Sequence, residues 1–243
     1  LEFIKNVSQM CDVGGYFIGT TYDGEKMFNK LKNKLQGEKI SGFKEFENNE
    51  KTKIWEITKK YDYKEFNDNW TSLGYEIEVF QESIGKSFSE FLVNYNYLFE
   101  IMENCGFILL TNEEANEVGM PNSTGDFREL YHKMEQDVGN NPSTKAEYGK
   151  SFEMSKDERD ISFINRYFIL KKIRNVEIDE ITLFNEEKIQ KQKEEKDTEN
   201  IKSKIKQQQN ELESNVDVVG SSLQIPSKKK RVKKSVGVVI GKK

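Results

Sequence analysis

Apolar positions along the first 174 residues recur with two periods, and each switch between them marks the edge of an element. Leu1, Ile4, Val7 and Met10-Cys11 fall at helical spacing, and Gly14-Gly15 then leads into the apolar run Tyr16-Phe17-Ile18. This predicts a helix followed by a buried strand, with Thr20 to Gly24 as the loop that starts the next helix. Asp23 is placed to cap that helix, whose apolar face would carry Met27, Phe28, Leu31 and Leu35. Ile54-Trp55-Glu56-Ile57 and Tyr75-Glu76-Ile77-Glu78-Val79 alternate apolar with polar, as half-buried antiparallel strands do, with the turn-forming Asn67-Asp68-Asn69 between them.

Helical periodicity returns from Leu92 to Cys105, with Leu98, Ile101, Met102 and Cys105 on the core face and Gly106 as the stop. Phe107 to Leu110 reads as a strand. Thr111 with Glu114 and Ser155 with Glu158 have capping-box spacing, so each is expected to open a helix. Phe127, Leu130, Tyr131, Met134 and Val138 form an amphipathic stripe, Gly139 to Lys150 reads as a mobile loop, and Tyr167 to Ile173 as a closing strand.

The texture changes after Arg174. Between Asn185 and Glu213, Lys, Glu, Gln and Asn dominate, and Ile189, Ile201, Ile205 and Leu212 are too sparse for a heptad seam. Residues 175–217 therefore read as a charged linker, either disordered or a solvated helix, and residues 218–243 as a basic tail around Lys228, Lys229, Lys230, Arg231, Lys233 and Lys234. Composition agrees with a core confined to the first 174 residues, since only 35% of the 243 residues are hydrophobic and mean hydropathy is -0.80. Two cysteines, Cys11 and Cys105, and a single histidine, His132, argue against a disulfide scaffold or a zinc centre. A net charge of -4 argues against indiscriminate nucleic-acid binding, although the tail concentrates positive charge locally. No apolar run reaches the ~20 residues that cross a bilayer, so an intracellular protein without a membrane partner is expected.

Three segments share a resemblance. Gly14-Gly15-Tyr16-Phe17-Ile18-Gly19-Thr20-Thr21-Tyr22-Asp23 resembles the strand and loop following the catalytic centre of mRNA cap guanine-N7 methyltransferases, with Tyr22 where that family carries proline. Phe88-Ser89-Glu90-Phe91-Leu92-Val93 resembles the segment whose glutamate holds the cap guanine, with Ser89 replacing a proline. Ser162 to Leu170 resembles the final strand, which in that family carries a cap-contacting tyrosine at the place of Tyr167. The three keep the family's order, and stretches such as IWEITKKYD and NRYFILKKIRNV look most like capping enzymes of large DNA viruses.

The resemblance implies an α/β chain, the carboxy-terminal half of a class I S-adenosylmethionine-dependent (Rossmann-like) methyltransferase fold with an antiparallel strand insertion. In an open parallel sheet the ligand lies beyond the carboxyl ends of the strands, which would place Thr20 to Gly24 at the pocket rim. It further implies transfer of a methyl group from S-adenosylmethionine to N7 of the cap guanine. Glu90, Tyr167 and Tyr22 are the cap-binding candidates, and no general base or metal is expected. Glu90 suits the task chemically, because a carboxylate accepts from guanine N1-H and the exocyclic amine on one edge. The chain contains no G-x-G-x-G turn and starts at Leu1 within a helical run. The cofactor-binding half is therefore expected upstream of Leu1, and the chain itself is expected to be a carboxy-terminal fragment. Implied partners are capped mRNA and triphosphatase or guanylyltransferase modules, in the nucleus or a cytoplasmic viral factory. Two alternatives stand beside this reading: a non-catalytic RNA-cap or capping-complex binding module, and a methyltransferase of the same fold acting on another small substrate.

Overall fold

The computed structural model describes residues 2–46, 50–177 and a set of positions between 187 and 206. Two compact units divide at Glu186 and Glu187. In the first, the described residues form six α-helices and eight strands built around two four-stranded sheets. The helices are α1 (Glu2–Met10), α2 (Gly24–Lys30), α3 (Tyr95–Asn104), α4 (Asn112–Glu117), α5 (Phe127–Asn140) and α6 (Lys156–Ser162). The strands are β1 (Tyr16–Tyr22), β2 (Lys39–Glu45), β3 (Lys51–Lys59), β4 (Glu76–Gln81), β5 (Lys86–Phe91), β6 (Phe107–Leu109), β7 (Thr124–Asp126) and β8 (Asn165–Lys172). In the second unit the described residues are helical, and Ile201 and Ile205 are exposed. The basic tail 218–243 lies outside the described residues.

The first sheet is organised by β8, which pairs along one edge with β1 and along the other with β6 and then β7, every pairing antiparallel. β1 and β6 consequently run in the same direction with β8 inserted between them, and the chain joining them includes the whole second sheet and α3. Helices and strands thus mix along the chain in an α/β arrangement whose sheets are antiparallel among the described residues. Among the described residues the pairing of β1 is antiparallel throughout, and the only parallel contact is an isolated bridge between Asp23 and Val93. β1 is also less buried than its apolar run suggests, because Tyr16 and Ile18 face outward at 51% and 65% exposure. Its other face is covered, with Phe17, Phe168 and Leu170 packing against Ile4 and Val7 of α1 and Ile101 and Met102 of α3.

The second sheet is an antiparallel meander, β2-β3-β4-β5. Directly paired residues share a face, so Trp55, Ile57, Ile77 and Val79 form one apolar surface, against which Tyr22, Met27, Phe28 and Leu31 pack. This meander extends the strand pair expected from the sequence by two edge strands, β2 and β5. Leu35 does not join the α2 face: the helix ends before it and the residue is 71% exposed. The helix expected from Leu92 begins at Tyr95, capped by Asn94. Gly139 belongs to α5, which runs to Asn140 before a 3-10 turn from Pro142 to Ala146, in place of the expected mobile loop.

Two lysines do unusual structural work. Lys172 is 4% exposed and donates to the carbonyls of Ser8 and Cys11 at the end of α1. Lys59, 5% exposed, donates to the carbonyls of Leu31 and Lys34 beyond α2. Lys172 thus answers carbonyls at the end of α1, and Lys59 those of the turn that follows α2, where the Leu31 carbonyl also accepts from the Lys34 amide; both charges have the favourable sign for the helix dipole.

These packing differences set a stability contrast. Leu170→Ala, at 1% exposure in the first sheet's core, should cost about 2–5 kcal/mol in urea unfolding. Ile18→Ser, on the outward face, should change stability by less than about 0.5 kcal/mol.

Candidate functional site

The end of β1 and the start of β8 are locked together before any site residue is positioned. Asp23 Oδ1 accepts from the Lys26 amide at 3.1 Å, making it the cap of α2, while Oδ2 accepts from Arg166 Nε at 2.9 Å. The Asp23 amide donates to the Ile164 carbonyl and the Gly24 amide to the Val93 carbonyl. Gly24 is required by this close approach, because a Cβ there would lie 2.4 Å from the Val93 carbonyl oxygen. Tyr22, the neighbour of this clamp, is thereby fixed at the end of its strand.

Tyr22 is 6% exposed, and its hydroxyl accepts a hydrogen bond from Gln81 Nε2 at 3.1 Å. Burial pushes its pKa upward, the Gln81 hydrogen bond opposes this, and the charge of Glu90 adds to it. The ring lines a cavity of about 300 Å³ together with Trp55, Gln81, Glu158, Ile161 and Asn165. Trp55 cannot swing freely, since its indole N-H donates to the Asp157 carbonyl at 2.8 Å.

Glu90 lies on β5 opposite Ile77. Its side chain therefore projects from the same face of the meander that packs against Tyr22 and α2. Phe88, opposite Val79, projects from that face as well. On this edge strand the covering core has ended, so Phe88 stands 47% exposed beside the carboxylate. Glu90 is exposed as a residue, yet its surroundings strip enough water from the carboxyl to push its pKa above the usual range. The charge of Glu90 thus reaches Tyr22, 68 positions away in sequence, from the second sheet to the end of β1.

Tyr167 occupies a different setting. It pairs with Thr20 on one side and Gly125 on the other, on the sheet face that also carries Tyr22, but is only 2% exposed and its hydroxyl has no hydrogen-bond partner. Burial raises its pKa, with the charge of Glu129 adding; the Asn122 backbone pulls the other way without completing a hydrogen bond. The structure thus puts Glu90 on the face of the meander that packs against Tyr22, outside the cavity that Tyr22 borders, and seats Tyr167 between β1 and β7. Sequence reasoning missed Gln81, Phe88 and Trp55. Their positions in strands were legible for Trp55 alone, and neither the partners of the three nor the cavity that Gln81 and Trp55 share leaves a local signal. His132 is exposed on α5, with Nδ1 2.9 Å from Glu135 Oε2.

No protein-family model matches the chain. It is 24% identical over 202 residues to a protein of Acanthamoeba polyphaga mimivirus described as a probable mRNA-capping enzyme. The match takes in 74% of this chain but 16% of that protein, so the chain corresponds to a small part of the relative.

Two measurements probe this geometry. In carboxyl-resolved NMR titration, Glu90 should titrate above 4.5, the direction set by its loss of hydration. A raised folded pKa means that the native state holds the proton more tightly. Its contribution to stability is therefore greatest below the unfolded value and is lost as pH rises through the folded one. Glu90→Gln should remove that part of the pH dependence of unfolding. Tyr167→Phe should leave stability unchanged or higher, because the hydroxyl it deletes is buried without a partner. A loss beyond about 1 kcal/mol would indicate a bond that the native state makes.

Proposed function

We propose that this chain supplies the guanine-holding part of an mRNA cap guanine-N7 methyltransferase. The observation carrying this reading is that Glu90 projects from the face of the meander that packs against Tyr22, near enough for its charge to act on that tyrosine, although the two segments lie far apart in sequence. Likeness to a protein named as a probable mRNA-capping enzyme supports a capping-related role. The like-directed β1 and β6 around β8 are compatible with an α/β methyltransferase.

The chemistry asks little of the side chains beyond position. Guanine N7 presents its lone pair outward and needs no proton removed before it attacks a methyl group, so the task is to hold the ring in line with the donor and away from competing orientations. In this reading the Glu90 carboxylate accepts from guanine N1-H and the exocyclic amine. Tyr22, braced by Gln81, offers its ring edge and hydroxyl as the wall opposite, and Phe88 offers an apolar surface to the base. Raised affinity of Glu90 for a proton fits an acceptor awaiting such donors. A dehydrated carboxylate gains more from two N-H groups than a fully solvated one.

The methyl donor, S-adenosylmethionine, is assigned no residue of this chain. The sequence has no glycine-rich G-x-G-x-G turn, and no described strand passes into its helix through one, so the residues present do not fit that cofactor. Attached triphosphatase or guanylyltransferase modules, and the compartment in which they would work, belong to the same proposal.

Binding of short RNAs to the 243-residue chain tests the reading. An oligonucleotide ending in a 5′-5′ triphosphate-linked guanosine should bind more tightly than the same RNA with a plain 5′-triphosphate. Glu90→Gln should weaken the capped RNA roughly 10- to 100-fold, the size of a charge-assisted pair of hydrogen bonds. Equal affinity of the chain for capped and uncapped RNA would overturn the proposal.

A further inference from the structure

A second cavity, of about 480 Å³, lies between α4 and α5. Glu129, His132, Lys133 and Gln136 border it from α5, at the i, i+3, i+4 and i+7 spacing that places residues on one helix face. Opposite them stand Asn116 and Asn122, with Met120 and Pro121 as an apolar surface. α5 has fourteen residues and none is fully buried, so this face is left open to a ligand.

The chemistry of the wall is selective. Lys133 is neutralised by Asp137, with contacts of 2.9 and 3.1 Å. Among the described residues no cation pairs with Glu129, whose closest side-chain donor is Asn122 at 3.5 Å. The cavity therefore presents one uncompensated carboxylate among three primary amides, which repels phosphate and favours a neutral group rich in N-H donors. The Tyr167 hydroxyl, which does not border the cavity, is buried nearby without a hydrogen-bond partner. It lies behind Glu129, and a Cβ on Gly125 would come within 2.1 Å of Glu129 Oε2 and 3.0 Å of the Tyr167 hydroxyl. Glycine at 125 is what lets carboxylate and phenol approach the same spot.

We propose that this cavity takes one unstacked nucleobase of a single-stranded RNA. Carboxylate and amide side chains match the hydrogen-bonding edges of a base, and methionine with proline gives its ring an apolar surface. Its volume falls within the range of small-ligand sites. Glu129 accepts from an exocyclic amine, so cytosine, adenine and guanine are favoured over uracil, which has none. The proposal rests on the capping reading only for the reason that RNA reaches the protein; the cavity is distinct from the Tyr22 and Glu90 site.

The test uses the full chain and 3′-fluorescein ten-nucleotide RNAs in anisotropy titrations, each RNA made capped and uncapped. Oligocytidine should bind roughly 5- to 100-fold more tightly than the abasic strand of equal length and charge, and oligouridine should fall between them. Glu129→Gln and, separately, Gln136→Ala should abolish most of the difference while leaving the urea midpoint unchanged, both residues being exposed. Equal binding of oligocytidine and the abasic strand by the parent chain, or full retention of the difference in both variants, would overturn the proposal. The capped-against-uncapped difference is read again in Glu90→Gln and in Glu129→Gln, and only the part lost in Glu90→Gln and kept in Glu129→Gln reports the Glu90 site, so one reading can fail while the other stands.

Discussion

The Asp23 carboxylate is the point on which the arrangement of both sheets depends. Its side chain is 7% exposed, and a carboxylate so far removed from water is tolerable only when charge and hydrogen bonds are both answered. Both are: Lys26 supplies the amide at the start of α2, and Arg166 supplies a guanidinium from β8, 143 positions away. Arg166 is held in turn by the Tyr95 ring, 5.1 Å from its centre, while the Tyr95 hydroxyl donates to the Arg166 carbonyl at 3.0 Å. One charge thus ties β1, α2, β8 and α3 into a single corner. Removing it would leave a partly buried guanidinium unpaired as well as an uncapped helix, so the corner is either complete or strongly destabilised.

From this corner the cleft follows. β1 ends at Tyr22 because Asp23 turns the chain into α2, and α2 packs Met27, Phe28 and Leu31 onto the meander. That packing sets the separation at which Gln81 meets the Tyr22 hydroxyl. The edge strand β5 extends the inner face of the meander beyond the helix that covers it, so Phe88 and Glu90 are presented without competing contacts. An apolar ring beside a partly dehydrated carboxylate is a natural consequence of stopping the core one strand short of the sheet's edge.

Much of this was legible wherever the physics is local. Asp23, Thr111 and Ser155 each form the cap read from spacing, and the two capping boxes are complete, because a cap is settled within four residues. Trp55, Ile57, Ile77 and Val79 showed their shared face through alternation. β2 and β5 were not legible: Lys39–Glu45 and Lys86–Phe91 are half polar and edge-bound, so little burial imprints a period on them. Antiparallel pairing of β1 with β8 is equally silent in sequence, since partner choice lies 150 residues away. Lys59 and Lys172 illustrate the same limit for charge. Each reads as a solvated residue, and only the tertiary position of a helix end makes its burial favourable.

The two cavities are joined by one further contact, between Lys26 of α2 and Asp126, whose other oxygen caps α5 through the Glu129 amide. A shift of α2 when the Tyr22 cleft fills would therefore reach Glu129 through a single ion pair. The pair keeps side-chain exposures of 39% and 22%, and contacts this open to water contribute on the order of 1 kcal/mol or less. A coupling limited to that size changes affinity at the second site by a few-fold at most. α2 and α5 are thus held in register by the pair without being switched by it, which would suit the two subsites proposed above, since a strand of RNA spanning both would require a fixed spacing more than a signal.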